Sequence, residues 1–163
     1  MKIRTATIQD AQAICSIYNY YIENTVVTFE EEGVSAKEMA KRISTVSSKY
    51  PFLAAEHENT VIGYAYATEW KNRSAYRFSA EITIYLDHEM KGKGIGSLLF
   101  SALLDQLRKT NLHALVGGIA LPNSASVALH EKYGFKKIAQ FEEVGFKFNQ
   151  WVDVGYWELK LSN

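Results

Sequence analysis

Lys91-Gly92-Lys93-Gly94-Ile95-Gly96 is the stretch whose residue types and spacing come closest to chemistry. A β-rich segment feeds it and an apolar-periodic segment leaves it, so the loop delivers the chain into a helix start. Glycines let backbone N–H groups approach an anion, and the helix start adds partial positive charge. Lys91 and Lys93 bring two further charges to the same point. Together these make a cradle for a phosphate or pyrophosphate; taken alone, the loop could also be a flexible basic turn. It is not a Rossmann fingerprint, because Ser97 stands where the third glycine of that spacing would fall, and a Walker A sequence is absent. Its place in mid-chain, after several β segments, also argues against a dinucleotide fold.

Other chemistries find less support. No His/Asp/Glu spacing suggests a metal pair, and serine-nucleophile chemistry lacks its G-x-S-x-G elbow. Cys15 is the only cysteine, which excludes intramolecular disulfides and cysteine-based zinc clusters. His57, His88 and His113 fall at a hairpin end, in a polar turn and before a strand.

The elements that must position the loop can be read from periodicity. Ile3 to Thr7 is a short strand, and Thr7-x-x-Asp10 is a capping box opening a helix with Ile14, Ile17, Tyr18, Tyr21 and Ile22 on one face. Thr25 to Glu30, between the two helices, is β-branched and aromatic and could be extended. Ser35-x-x-Glu38 opens a second helix through Met39, Ile43 and Val46, ended by Pro51. Phe52 to His57 and Thr60 to Trp70 form a hairpin about Glu58-Asn59, and Tyr76 to Leu86 is a further strand. A helix follows over Ser97 to Lys109, then a strand over Ala114 to Ala120. Asn123 opens a last helix ending near Tyr133-Gly134, and Phe135 to Phe148 and Trp151 to Leu161 are two β segments. The order β-α-α-β-β-β-α-β-α-β-β is a mixed α/β layer.

At 163 residues, with 47% apolar and 22% charged side chains, the chain reads as one globular domain spanning 1–163. Eighteen basic and eighteen acidic residues cancel, which argues against a nucleic-acid partner. No apolar run reaches the length of a membrane span and the start lacks a secretory signal, so a soluble, cytoplasmic protein is expected.

Ile84-Tyr85-Leu86 followed by Lys91 to Gly96 resembles the acetyl-CoA motif of the GCN5-related N-acetyltransferases (GNAT), with Lys91 at a position the family gives to Gln or Arg. Asn123 through Leu129-His130-Glu131-Lys132-Tyr133-Gly134-Phe135 is similar to the family's second signature. Trp70 to Tyr76, Glu81 and the tail Val144 to Val154 look like the branch that acetylates phosphinothricin, methionine sulfoximine and methionine sulfone. The resemblance implies a largely antiparallel sheet flanked by helices and splayed between two parallel neighbours, where acetyl-CoA sits. Ile84, Tyr85 and Leu86 would run along its pantetheine, and Asn123 would reach the pantetheine by its side chain. The loop Lys91, Gly92, Lys93, Gly94, Ile95, Gly96 and Ser97 would hold its pyrophosphate. No metal is implied.

The same resemblance implies site roles. Acetyl transfer to an amine needs a base, a polarised carbonyl and a stabilised thiolate. Glu81 matches the branch's base, although a strand glutamate could equally pair with Arg77. His130 stands where most of the superfamily has a tyrosine proton donor. It could act as acid or base, or pack against the sheet. Tyr133 falls at a packing position. Arg73 and Lys71, with Asn72 between them, would hold an acceptor carboxylate or phosphinate unless the segment is only a solvated loop. Phe29, Tyr76 and Thr83 match pocket-lining positions. The expected function is acetylation of a small amino-acid analogue. The alternatives are another amine acceptor (an amino acid, a polyamine or a protein N-terminus) and a non-catalytic acyl-CoA sensor. A homodimer through the C-terminal β region is also implied.

Overall fold

The computed structural model describes residues 1–161. Its elements are β1 (Lys2–Thr5), α1 (Ala11–Asn24), α2 (Ala36–Ser47), β2 (Phe52–His57), β3 (Thr60–Glu69) and β4 (Ser79–Leu86). After these come α3 (Ile95–Leu107), β5 (Ala114–Leu121), α4 (Ser124–Lys132), β6 (Lys136–Lys147) and β7 (Gln150–Lys160). The element order is the expected one.

Local signals act where the sequence put them. Thr7 and Asp10 form the capping box, though the chain turns once as 3₁₀ helix before α1 begins. Arg4 grips both Asp10 oxygens at 2.8 Å and Glu56 at 2.7 Å, tying β1, β2 and the start of α1 together. The Ser35 hydroxyl accepts the Glu38 amide at 3.1 Å and caps α2. Glu58 and Asn59 take positive φ, as a two-residue hairpin turn requires.

Two expectations need correction. Thr25 to Glu30 holds no strand: it bends around the end of α1, where the Thr25 hydroxyl donates to the Tyr21 carbonyl at 2.7 Å. β4 starts at Ser79, three residues later than expected, because Ser74–Tyr76 winds into a 3₁₀ turn. β-branched and aromatic composition marked both segments, but neither finds a strand neighbour to pair with.

The strands form one seven-stranded sheet in the order β1-β2-β3-β4-β5-β7-β6. All neighbours are antiparallel except β4 and β5. Each sheet face is covered by its own core. Ile14, Ile22, Met39 and Ile43 of α1 and α2 pack on Phe52, Ala54 and Tyr64, while Leu99, Phe100, Leu103 and Leu107 of α3 pack on Leu53, Ala65 and Ile82.

The sheet divides at its centre. β4 pairs with β5 only from Ser79↔Ala114 to Glu81↔Val116. Beyond that point β4 stays with β3 as far as Leu86↔Gly63, and β5 stays with β7 as far as Leu121↔Asp153. Each strand is held by its outer neighbour, so the two part into a wedge whose apex is at Glu81.

Candidate active site

The wedge is a cleft of about 810 Å³ between β4, β5 and the starts of α3 and α4. Along β4 the side chains alternate. Ile82, Ile84 and Leu86 pack toward α3, whereas Tyr85 packs among Tyr18, Tyr21 and Tyr64 on the opposite face. Tyr85 therefore offers the cleft mainly its backbone. From Ile82 onward, β4 backbone groups facing β5 have no strand partner among the described residues. The Tyr21 hydroxyl donates to the Leu86 carbonyl at 2.6 Å and fixes the end of the strand.

The glycine loop closes the wide end. Gly92 and Gly94 hold φ of 76° and 78°, and a Cβ at either would meet nothing within 4 Å. Both are left-handed positions that glycine alone adopts without cost. Gly94 caps α3, whose first backbone bond runs from the Leu98 amide to the Gly94 carbonyl at 3.2 Å. The amides of Ile95, Gly96 and Ser97 precede that bond and point out of the helix start. An open concave backbone, free amides and the Lys91 ammonium suit a pyrophosphate. Lys91 also lies 5.1 Å above the Tyr21 ring. Ile95 contributes backbone only, since its side chain is core at 2% exposure. Lys93 lies outside the cleft wall and points to the Met90 sulfur at 3.3 Å.

α4 forms the opposite wall. Asn123 accepts the Ser126 amide at 3.2 Å through Oδ1, so this oxygen caps the helix and the Nδ2 amide remains for the cleft. Tyr133 stacks on Phe100 at 4.8 Å and donates to the Ser97 carbonyl at 2.7 Å, which makes it a strut between α4 and α3. His130 is 4% exposed, edge-on to Phe100 and Phe135. Its Nδ1 lies 2.8 Å from the Ser126 carbonyl, so Nδ1 carries the proton and Nε2 keeps its lone pair. Burial lowers its pKa and favours this neutral form. The ring occupies the space beside Gly117, where a Cβ would stand 2.5 Å from Nε2.

A second cavity of about 720 Å³ opens on the other side of the apex. Trp70, Phe141, Val144 and Tyr156 are among its walls, with Lys71 as a cation. Val27, Glu81, Gly118 and Ala120 line both cavities, so the two meet over Gly118. A Cβ on Gly118 would lie 3.1 Å from the Tyr156 ring and 3.4 Å from Glu81 Oε1. Bare backbone at this point leaves room for reacting atoms. Burial raises the Glu81 pKa, partly offset by Lys71, and burial beside Glu81 raises that of Tyr156.

Of the expected acceptor residues, Phe29, Lys71 and Glu81 come together in this second cavity. Thr83 faces the cofactor cleft instead. Asn72, Arg73 and Tyr76 do not line the second cavity: Arg73 is exposed and lies over the Tyr76 ring at 5.3 Å. Sequence reasoning missed Gly118, Tyr156 and Val27. The β5–β7 pairing of Gly118 with Tyr156, a small residue opposite an aromatic, was the available signal. No group of three metal-ligating side chains occurs among the described residues, and no helix there is long and apolar enough to cross a membrane.

The acetyltransferase (GNAT) domain family model matches residues 3–155. The chain is 38% identical over 158 residues to a phosphinothricin N-acetyltransferase of Streptomyces viridochromogenes, covering 97% of this chain and 86% of that one. It is 33% identical over 166 residues to an L-methionine sulfoximine/L-methionine sulfone acetyltransferase of Salmonella typhimurium, covering 99% and 95%. The fold superposes with a TM-score of 0.97 on an acetyltransferase structure from Salmonella typhimurium with its cofactor acetyl-CoA, at 33% identity over 100% of this chain and 95% of that one. The chain belongs to the GNAT family of acetyl-CoA-dependent N-acetyltransferases, in the branch whose members include the phosphinothricin and methionine sulfoximine enzymes.

Proposed function

We propose that this enzyme acetylates the α-amino group of a small amino-acid analogue of the phosphinothricin, methionine sulfoximine or methionine sulfone type. One observation carries the reading: Glu81 stands at the junction of a cofactor-sized cleft and a second cavity bearing one cation. Lys71 suits the acceptor carboxylate, and Trp70, Phe141 and Val144 suit its alkyl chain. With Arg73 outside the cavity, the walls favour the uncharged head of a sulfone or sulfoximine over an anionic phosphinate.

Acetyl-CoA supplies the activated acyl group, held by the amides of Ile95 to Ser97, Lys91, the backbone of Ile84 to Leu86 and the Asn123 amide. Glu81 takes the proton of the acceptor ammonium, and its raised pKa brings it nearer to working pH. His130 meets the site as a neutral ring with a free Nε2, which makes it a proton acceptor in the resting enzyme rather than an acid. Relatives named for phosphinothricin and for methionine sulfoximine support the substrate class equally.

The working unit in this proposal is a homodimer. Ile138, Phe141, Val144, Phe146, Phe148 and Trp151, on β6, its turn and the start of β7, are each more than half exposed, an apolar surface large for a monomer. The decisive test of the substrate class is CoA release, followed by thiol detection, with each of the three compounds. Release with methionine sulfone or sulfoximine is expected. No release with any of them, under conditions where acetyl-CoA binds, refutes the assignment.

A further inference from the structure

The segment joining α1 to α2 carries Val27, which lines both cavities, and Phe29, which lines the acceptor cavity. It has no strand or helix of its own to hold it. α1 and α2 hold its ends, through the Thr25 hydroxyl on Tyr21, the Tyr18 hydroxyl at Thr28 and Arg42 on Glu30, and two contacts from the far end of the chain hold it from the other side. Lys147, near the end of β6 and 2% exposed, donates from Nζ to the Thr28 carbonyl at 2.9 Å. Phe29 lies on Gly145, so closely that a Cβ there would meet ring carbons at 2.3, 2.4 and 2.9 Å. Lys147 is an unusual choice for a buried strand position, since lysine is rarely buried without a partner. Among the described residues, its one side-chain hydrogen bond goes to this segment. Lys147 itself lines neither cavity.

We infer that Lys147 and Gly145 form a clamp that positions the Val27–Phe29 wall and thereby sets acceptor affinity, Lys147 acting as a positioning residue. The inference rests on the second cavity being the acceptor site. Releasing the clamp lets the wall move while the glycine loop, anchored at the start of α3, stays in place. A misplacement of the order of 1 Å is enough for a large kinetic effect.

Lys147→Met keeps the apolar stem and removes the donor. Gly145→Ala keeps the donor and displaces the Phe29 ring, and serves if Lys147→Met fails to fold. Each is expected to raise the acceptor KM by about tenfold, with kcat changed less than about threefold. Acetyl-CoA affinity by calorimetry should change less, within about threefold, because the altered wall meets the cofactor cleft at Val27 and Thr28 but leaves the glycine loop and the α3 start as they are. Independently of activity, amide hydrogen exchange over residues 25–30 should quicken by about tenfold or more while α3 exchange is unchanged. Unchanged exchange in these residues overturns the clamp. So does a parallel loss of acceptor affinity, acetyl-CoA affinity and thermal stability, the mark of a merely structural role. An unaltered enzyme that acetylates no acceptor would count against the proposed function, and the exchange result would still decide the clamp.

Discussion

Replacing Glu81 by Gln separates catalysis from stability. The Glu81 carboxyl accepts no hydrogen bond from any described side chain or turn amide, and its nearest helpful charge is Lys71. Gln preserves shape and polarity but cannot take a proton. A positioned general base contributes about 10²–10⁴ in rate, which corresponds to about 2.7–5.4 kcal/mol of barrier at 1.36 kcal/mol per decade. The loss should appear in kcat with each acceptor, while acetyl-CoA affinity changes less than about twofold, because the pyrophosphate cradle is untouched. Stability should move the other way. Burial holds the folded-state pKa above the ordinary carboxylate value, so the folded chain binds this proton more tightly than the unfolded one. The stability contribution therefore falls as pH rises from the ordinary value through the raised one, and the cost is carried in full above the raised value. Gln removes that cost, and relieving such a site commonly gains about 0.5–2 kcal/mol. At about 2–4 °C per kcal/mol for a chain of this size, the melting temperature should rise by a few degrees at pH 7 and very little near pH 4. Steady-state kinetics and calorimetric melting at the two pH values test both parts. Unchanged kcat, or a melting temperature lowered at pH 7, would refute the reasoning.

Gly118→Ala places a methyl 3.1 Å from Tyr156 and 3.4 Å from Glu81, between the two cavities; acceptor kcat/KM should fall by about 10–100-fold with the fold intact, measured by CoA release and circular dichroism. Gly94→Ala meets no steric obstacle but must hold φ near 78°. At about 1–2 kcal/mol for an L-residue there, acetyl-CoA should bind about 5–30-fold more weakly by calorimetry. If the proposed homodimer forms through this face, Trp151→Lys at the exposed start of β7 should shift sedimentation from dimer toward monomer without disturbing secondary structure.

Much of the site was legible because its determinants are local. Glycines at 92 and 94, a helix start after them and an asparagine cap at 123 are backbone requirements, and only a few residue types meet them. Helix faces and hairpins followed from periodicity for the same reason. What sequence could not supply is where distant strands separate and which side chains then meet. Glu81 and Lys71 were expected together and are, but Arg73 turns outward onto Tyr76 because the 3₁₀ turn at Ser74–Tyr76 redirects the chain. Tyr156 and Val27 reach Glu81 through β7 and through an irregular segment, and contacts so far apart in the chain leave no periodic trace. Thr25 to Glu30 shows the converse. Its β-branched composition suits extended backbone, yet the segment bends and lines a cavity from outside the sheet.

The parting of β4 from β5 leaves a row of peptide groups without a strand partner among the described residues. On an outer rim such a row invites another chain to add itself, which is how sheets aggregate. Here it is walled in by α3, α4 and β5, so whatever borrows it must be slender and bring its own amides. The fault line in the sheet thus works as a sieve: it admits a thin flexible arm and turns away a folded neighbour.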